Sequence, residues 1–521
     1  MNDHEHNHPR EDSDEELWAR TTSEDPLRKG MALQELAQRY CDRKDWERGL
    51  SAAAAARETF NANENFFEEA RAAYFEGFAL YRADREEEAL PAFSRAVELY
   101  RTYAGEVELA DALHFQGMCY LYLSRLEDME APMSSAIALY EGNKRHGQAG
   151  FSCLELGEAF GRLQRQADAL EVFEKCLVNF QKAGDVIGSG RAHDRIAAAL
   201  IDLARMDEAT DHLRQALQIF EYTENEYWWT KAQYRLGWTL VIQNEHDEAL
   251  PLLEAASRWY KKHEDYVHAA DADSQIAEAY RKTGREADAR RIFRTVQSVY
   301  EAAGQKESAS TIEMAIATSL ADAGETYEAI RVFRRMLKRK HVKKDKFLER
   351  SVSRRLASQL VNIGGPEASR EGLLLLLESA TGDWGDNVHE RAAHLAATAE
   401  AFLNLEQFDE AEKKARAVLE IGAESSYRSH TAASYKVLSD VAEQRDKNSD
   451  LAEDYLSRAI ALYLANGDDT TARELSQRLL PDASANAGQE QWVLFPEPPS
   501  LPGTSERDRD CDDDNSRGEA H

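Results

Sequence analysis

A chain of 521 residues with 64 Lys and Arg against 95 Asp and Glu carries a formal net charge of −31. That charge opposes binding to nucleic acid or anionic lipid through the surface as a whole, and favours basic partners. Hydrophobic residues at 43% suffice for a continuous core, yet no run approaches the roughly 18 apolar residues of a membrane span.

The opening stretch, residues 1–25, holds nine acids and two bases and lacks the basic flank and apolar stretch of a secretory signal. Residues 1–26 therefore read as a disordered acidic tail. His4, His6 and His8 lie there without the surrounding groups that orient metal ligands, so no metal is expected. The five cysteines show no CxxC pairing and fit a reducing, cytoplasmic setting.

From Ala37 onward a small side chain returns at one fixed spacing, at Ala37, Gly77, Gly117, Gly157, Ala197, Gly237, Ala277, Ala317 and Ala357. A second small register runs from Gly49 through Ala89, Met129 and Ala169 to Ala329. A third, aromatic, occupies Phe60, Tyr100, Tyr140, Phe180, Phe220, Tyr260 and Tyr300. A unit of this length holds two helices and two turns; it cannot bury its apolar face alone and must stack on its neighbours.

The hairpins should begin near Leu27, Phe67, Val107, Gln148, Ile187, Tyr227, Val267, Glu307 and Phe347, with two more, out of strict register, near Asn387 and Tyr427. Asp84, Ser124, Asn244, Gly284, Gly324 and Gly364 mark the turn inside the hairpin, as residues that accept the left-handed conformation or cap a helix. Pro91 and Pro251 fall in the first turn of the second helix, where a missing amide hydrogen is tolerated. Residues 27–469 thus form the repeat array as one elongated body, and the amphipathic segment 470–480 suits a cap over its last exposed face. From Pro481 on, five of the eleven prolines gather among Asn, Ser, Gly and Asp, so 481–521 reads as a disordered tail.

These registers resemble the tetratricopeptide repeat, whose pattern sets Leu-Gly and an aromatic on the first helix, then Ala, Phe and Ala on the second. Leu156, Gly157, Phe160, Ala169 and Phe173 carry the likeness in the fourth unit; Ile276, Ala277, Tyr280, Ala289 and Phe293 carry it in the seventh. The 40-residue period departs from the common 34 and is similar to the longer-helix repeats of kinesin light chains, Pins-like adaptors and MalT-type regulators. The resemblance implies an all-α, right-handed solenoid of about eleven hairpins, a protein or ligand binder with no cofactor. It also implies a concave face lined by first-helix side chains.

Carried over by position, that face includes Arg71, Tyr74, Phe78, His114, Met118, Arg191, Lys231, Tyr234 and Trp238. An apolar groove rimmed by Arg and Lys suits an amphipathic helix or an extended peptide with an acidic group. The rival reading packs the same aromatics against the adjacent repeat. The block 334–355 is strongly basic, with Arg334, Arg335, Lys338, Arg339, Lys340, Lys343, Lys344 and Lys346; it could hold an acidic partner or the chain's own acidic tails, or simply be a solvated helix face. Nucleic acid is the weakest of its partners, given the overall charge and the absence of a recognition motif. The tail segment 490–502 contains Trp492, Val493, Leu494 and Phe495, apolar residues costly to leave in water, and is expected to dock on the solenoid or engage a partner.

GxSxG, P-loop and GxGxxG signatures are absent. The sequence thus points to a non-enzymatic scaffold or adaptor for a protein or peptide, with no membrane partner. The alternative is a peptide or ligand sensor whose curvature controls a separate effector chain.

Overall fold

The computed structural model describes residues 13–103, 105–380, 384, 388–421 and 428–479. The expected tail 481–521, its 490–502 island and the His4, His6 and His8 group lie outside the described residues. Among the described residues there are 25 helices and no strand, and no helix is long and apolar enough to cross a membrane.

After α1 (Asp14–Arg20), paired helices follow in order. They are α2 (Pro26–Asp42) with α3 (Trp46–Ala62), α4 (Phe66–Arg82) with α5 (Glu86–Tyr103), α6 (Glu106–Tyr122) with α7 (Leu126–Gly142), and α8 (His146–Arg162) with α9 (Gln166–Ala183). Next come α10 (Val186–Asp202) with α11 (Met206–Tyr222), α12 (Glu226–Ile242) with α13 (His246–Lys262), and α14 (Tyr266–Lys282) with α15 (Glu286–Ala302). Then α16 (Lys306–Asp322) pairs with α17 (Thr326–Met336), followed by a short α18 (Lys340–Lys344). The last pairs are α19 (Lys346–Ile363) with α20 (Pro366–Ser379), α21 (Val388–Asn404) with α22 (Phe408–Ile421), and α23 (Arg428–Gln444) with α24 (Ser449–Ala465). The eleven hairpins end in α25 (Asp469–Leu479), whose Ala472 and Leu475 cover Leu456, Ala459 and Ile460.

The chain divides into two compact units, residues 1–279 and 280–521, with the division falling inside α14. A repeat array makes contacts chiefly between neighbours, so its periodicity alone fixes no such boundary. Each unit is described on its own below.

One turn, repeated at a constant interval, spaces the helices. Lys44, Glu64, Asp84, Ser124, Lys144, Gln164, Ala204, Glu224, Asn244 and Glu264 all have φ between 53° and 64°, and Gly184, Gly284, Gly304 and Gly324 occupy the same place at 70° to 78°. Across each turn an amide closes onto a carbonyl in the last turn of the preceding helix, as Asp45 does onto Tyr40 (2.8 Å), Arg85 onto Leu80 (3.0 Å) and Arg145 onto Tyr140 (2.7 Å). That bond satisfies a carbonyl the helix would otherwise leave orphaned. The left-handed conformation costs a non-glycine residue about 1 kcal/mol, which the closure offsets. The turns between hairpins are therefore the same as the turns within them, although Glu and Lys there give little sign of it in the sequence.

Within a hairpin the small register that begins at Ala37 faces a bulky residue on the second helix. A Cβ placed on Gly77 would lie 3.0 Å from Phe93; on Gly117, 2.7 Å from Met133; on Gly237, 2.7 Å from Leu253. All three partners are fully buried. The aromatic register plugs the seam between hairpins: buried Phe180 lies against both Gly150 of its own pair and Gly188 of the next. This interlock repeats from hairpin to hairpin.

Two departures from the sequence reading stand out. Residues 14–20, placed in a disordered tail, form a helix with a reciprocal cap: Glu16 N–H donates to Ser13 Oγ (3.2 Å) and Ser13 N–H to Glu16 Oε2 (2.7 Å). Leu17 is buried, Trp18 Nε1–H donates to Tyr40 Oη (3.0 Å), and Asp14 pairs with Arg43 (2.5 Å). This helix caps α2 as α25 caps the other end. In the second unit the second helix of the eighth hairpin opens after Met336, and the chain reaches α18, where Val342 is buried and His341 Nε2 meets Ser310 Oγ (2.7 Å).

Gly237→Val tests the interlock. Alanine-like propensity gains favour any side chain over glycine in a helix, but here Leu253 and the Ala249 carbonyl oxygen (3.3 Å) leave no space. The substitution should cost about 1–3 kcal/mol, read as a lower denaturant midpoint by tryptophan fluorescence, since six of the eight tryptophans lie in the first unit. An unchanged midpoint would mean that α12 and α13 can part without penalty.

Candidate partner-binding face

In the first unit, equivalent positions on the first helices of successive hairpins fall in register, and α4, α6, α8, α10 and α12 carry the expected face. Its α4–α6 end is an aromatic cluster. Tyr74 and Phe78 stack at 6.3 Å between ring centroids, Phe115 meets Phe78 edge-on at 5.3 Å and Tyr74 at 6.0 Å, and Tyr81 links Phe115 (5.4 Å) to Tyr122 (5.7 Å). Phe115 is the hub, and the sequence reading missed it by following only the rows of Tyr74 and Phe78. The row one position beyond Tyr74, through Phe75, Phe115, Glu155, Arg195 and Arg235, would have found it.

The expected site residues do not all share one role. Tyr74 and Phe78 are half-buried between repeats, so they serve packing and surface at once. Met118 is buried, and His114 Nδ1 lies 2.9 Å from Ser152 Oγ of α8. Burial pushes the His114 pKa down to about 4. His114 joins one repeat to the next. Tyr234 packs beside Ala256, Tyr260 and Ala269, and burial pushes its hydroxyl up to about 12. Trp238 is half-buried.

At the α10–α12 end the face turns basic. The Arg191 guanidinium lies 5.2 Å from the Trp228 ring centroid and 5.9 Å from Phe151, and Lys231 Nζ lies 4.9 Å from Trp228. Burial, then the neighbouring Arg195, lowers the Lys231 pKa. Arg195 is paired with Glu158 (2.9 Å) and Arg235 with the buried Asp194 (2.8 Å). Arg191 and Lys231 are thus held half-buried on an aromatic ring with no ion pair among the described residues, a geometry that orients the cation.

Arg71 is on the aromatic end, where Phe67, Arg71, Tyr74, Phe75, Tyr100, Glu108 and Asp111 line a half-open cleft of about 360 Å³. Arg71 is exposed and 3.9 Å from Glu68.

In the second unit the basic block is split by function. Arg335 (2.7 Å) and Arg339 (2.5 Å) converge on buried Glu313, Arg334 pairs with Glu371 (2.7 Å) and Lys346 with Glu349 (2.8 Å). Lys338, Lys340, Lys343 and Lys344 are exposed around the helix break and have no ion pair among the described residues. Among the described residues no group of three or more His, Cys, Asp or Glu is arranged to hold a metal.

No protein-family model matches the chain, and no curated protein does. Among solved structures it is similar to the apo form of the quorum sensor NprR from B. thuringiensis, at 14% identity over 68% of this chain and 99% of that one, with a TM-score of 0.46. It is similar also to a Rap protein complexed with competence and sporulation factor, at 16% identity over 68% of this chain and 97% of that one, TM-score 0.44. A third is aspartyl phosphate phosphatase F from Bacillus subtilis, at 14% identity over 53% and 72%, TM-score 0.37.

Half-buried His114 should make the first unit sensitive to acid. Its folded pKa lies below the ordinary 6.5, so between pH 6.5 and 4 the unfolded chain binds more protons and stability falls as pH falls. At pH 5 the loss amounts to about 2 kcal/mol for this one group. His114→Gln, which can still bond Ser152, should flatten the decline in urea midpoint between pH 7 and 5; an unaltered slope would mean that His114 titrates normally.

Proposed function

We propose that the protein is a non-enzymatic interaction scaffold that holds a segment of a partner protein along the first-helix face of its first unit. The observation that carries this reading is the joining of two surfaces on one set of registered helices: half-exposed aromatics from Tyr74 to Tyr122, and the cations Arg191 and Lys231 mounted on Trp228. Tyr, Trp and Arg held by packing are the residue types that dominate binding energy at protein interfaces. The α4–α6 cleft is half-open to solvent, which suits a side chain of an extended segment better than an enclosed small ligand and favours the scaffold over a sensor of small molecules.

The test spares the core. Tyr122→Ala with Arg191→Glu and Lys231→Glu should weaken capture of partners from the source cell at least tenfold, with unchanged helicity by circular dichroism. Tyr222→Ala, which removes a ring 84% exposed on the second helix α11, should have no effect. Crosslinks from a photoreactive residue at position 122 should map to one partner segment; equal capture by both variants would refute the assignment of this face.

A further inference from the structure

The cleft beside α4 has a charge balance opposite to that expected of an arginine gripping a carboxylate. Its walls are aromatic: Phe67, Tyr74, Phe75 and Tyr100, with Phe67 and Tyr100 meeting edge-on at 6.1 Å and Tyr74 and Phe75 at 5.7 Å. Its polar groups are Arg71, Glu108 and Asp111. The one cation already has a carboxylate neighbour, Glu68. Neither Glu108 nor Asp111 has a cation within ion-pair distance among the described residues. Asp111 accepts a hydrogen bond from Tyr140 Oη at 2.5 Å through Oδ1, which fixes the carboxylate and leaves its other oxygen uncommitted. Glu108 is exposed at the rim. Burial raises the Asp111 pKa, the Tyr140 hydrogen bond opposes the rise, Glu108 adds to it and Arg145 opposes it more weakly, so an arriving cation relieves an unfavourable pair of acids.

We propose that this cleft receives the cationic side chain, lysine or arginine, of the partner's segment, with the alkyl stem against Phe67, Phe75 and Tyr100 and the charged head on Glu108 and Asp111. This deepens the scaffold reading and rests on it. Long basic side chains combine an apolar stem with a charged tip, and aromatic faces attract the charge further. An acidic side chain would find only Arg71 favourable and would face two carboxylates at once.

The probes are acetylated, amidated, fluorescein-labelled nonapeptides of Leu, Phe and Ser around one central Lys, Arg, Gln or Glu, titrated against the full chain by anisotropy. Lys and Arg peptides should bind about tenfold or more tighter than Gln and Glu peptides, the size of one charge-assisted contact. Glu108→Lys, at an exposed position, should erase that preference. Glu87→Lys makes the same charge change on α5, away from the cleft, and should leave it intact. Arg71→Ala should leave or improve binding of the Lys peptide. Preference for the Glu peptide with loss of binding in Arg71→Ala overturns the proposal, as does an equal effect of Glu87→Lys, which would reveal bulk attraction to a chain of net charge −31. Binding without any charge preference sinks the cation cleft and spares the scaffold reading; absence of binding by all four peptides sinks both.

Discussion

Everything on the surface of this protein depends on how closely two helices of a hairpin can approach. Gly77, Gly117, Gly157 and Gly237 let Phe93, Met133, Phe173 and Leu253 enter where a Cβ would stand. Each such contact sets the crossing of a pair, and the repeated left-handed turn sets the start of the next. Because the turn is the same within and between hairpins, each helix of the regular array starts at the same interval after the last and presents the same face. Side chains at equivalent places in successive hairpins are brought into a row without any contact specifying the row itself.

The rows differ in how far packing constrains them. Positions 37, 77, 117 and onward hold only Ala or Gly, because each must admit a neighbour's bulk. The row through Arg71, Asp111, Phe151, Arg191, Lys231 and Asp271 holds almost every chemical class. A position that keeps its place in the fold while its chemistry varies from repeat to repeat is free of the core, and it is there that a repeat protein can encode which partner it accepts. Tyr74 and His114 lie one turn along, where the demands overlap: the same side chains close the seam between hairpins and border the open face.

Periodicity in the sequence revealed what packing demands, and little else. Hairpin starts near Phe67, Val107 and Ile187 coincide with α4, α6 and α10 to within a residue, because small and aromatic registers leave no freedom of phase. The helix at 14–20 was hidden by an acidic composition, though Ser13 and Glu16 form a capping box and Leu17 begins the apolar face. The turns at Glu64, Lys144, Glu224 and Glu264 were hidden because side chains of ordinary helical propensity tolerate the left-handed conformation when a carbonyl is closed across it. The basic block was legible only in part, for a third reason: sequence shows charges but not partners, and buried Glu313 takes up Arg335 and Arg339 while their neighbours Lys338 and Lys340 remain in solvent.

For the proposed scaffold, half-burial of the aromatics is an advantage rather than a compromise. A ring such as Phe115, held by four neighbours, loses little freedom when a partner arrives, so less of the interaction is consumed by ordering. The two ends of the face also differ in sign. Among the described residues Glu108 and Asp111 stand without ion pairs near α4 and α6, while Arg191 and Lys231 stand on Trp228 near α10 and α12. A segment laid along such a face meets opposite fields at its two ends. On the proposed scaffold reading, reversing it would set like charges together at both, so the same helices would also fix the direction in which the segment lies.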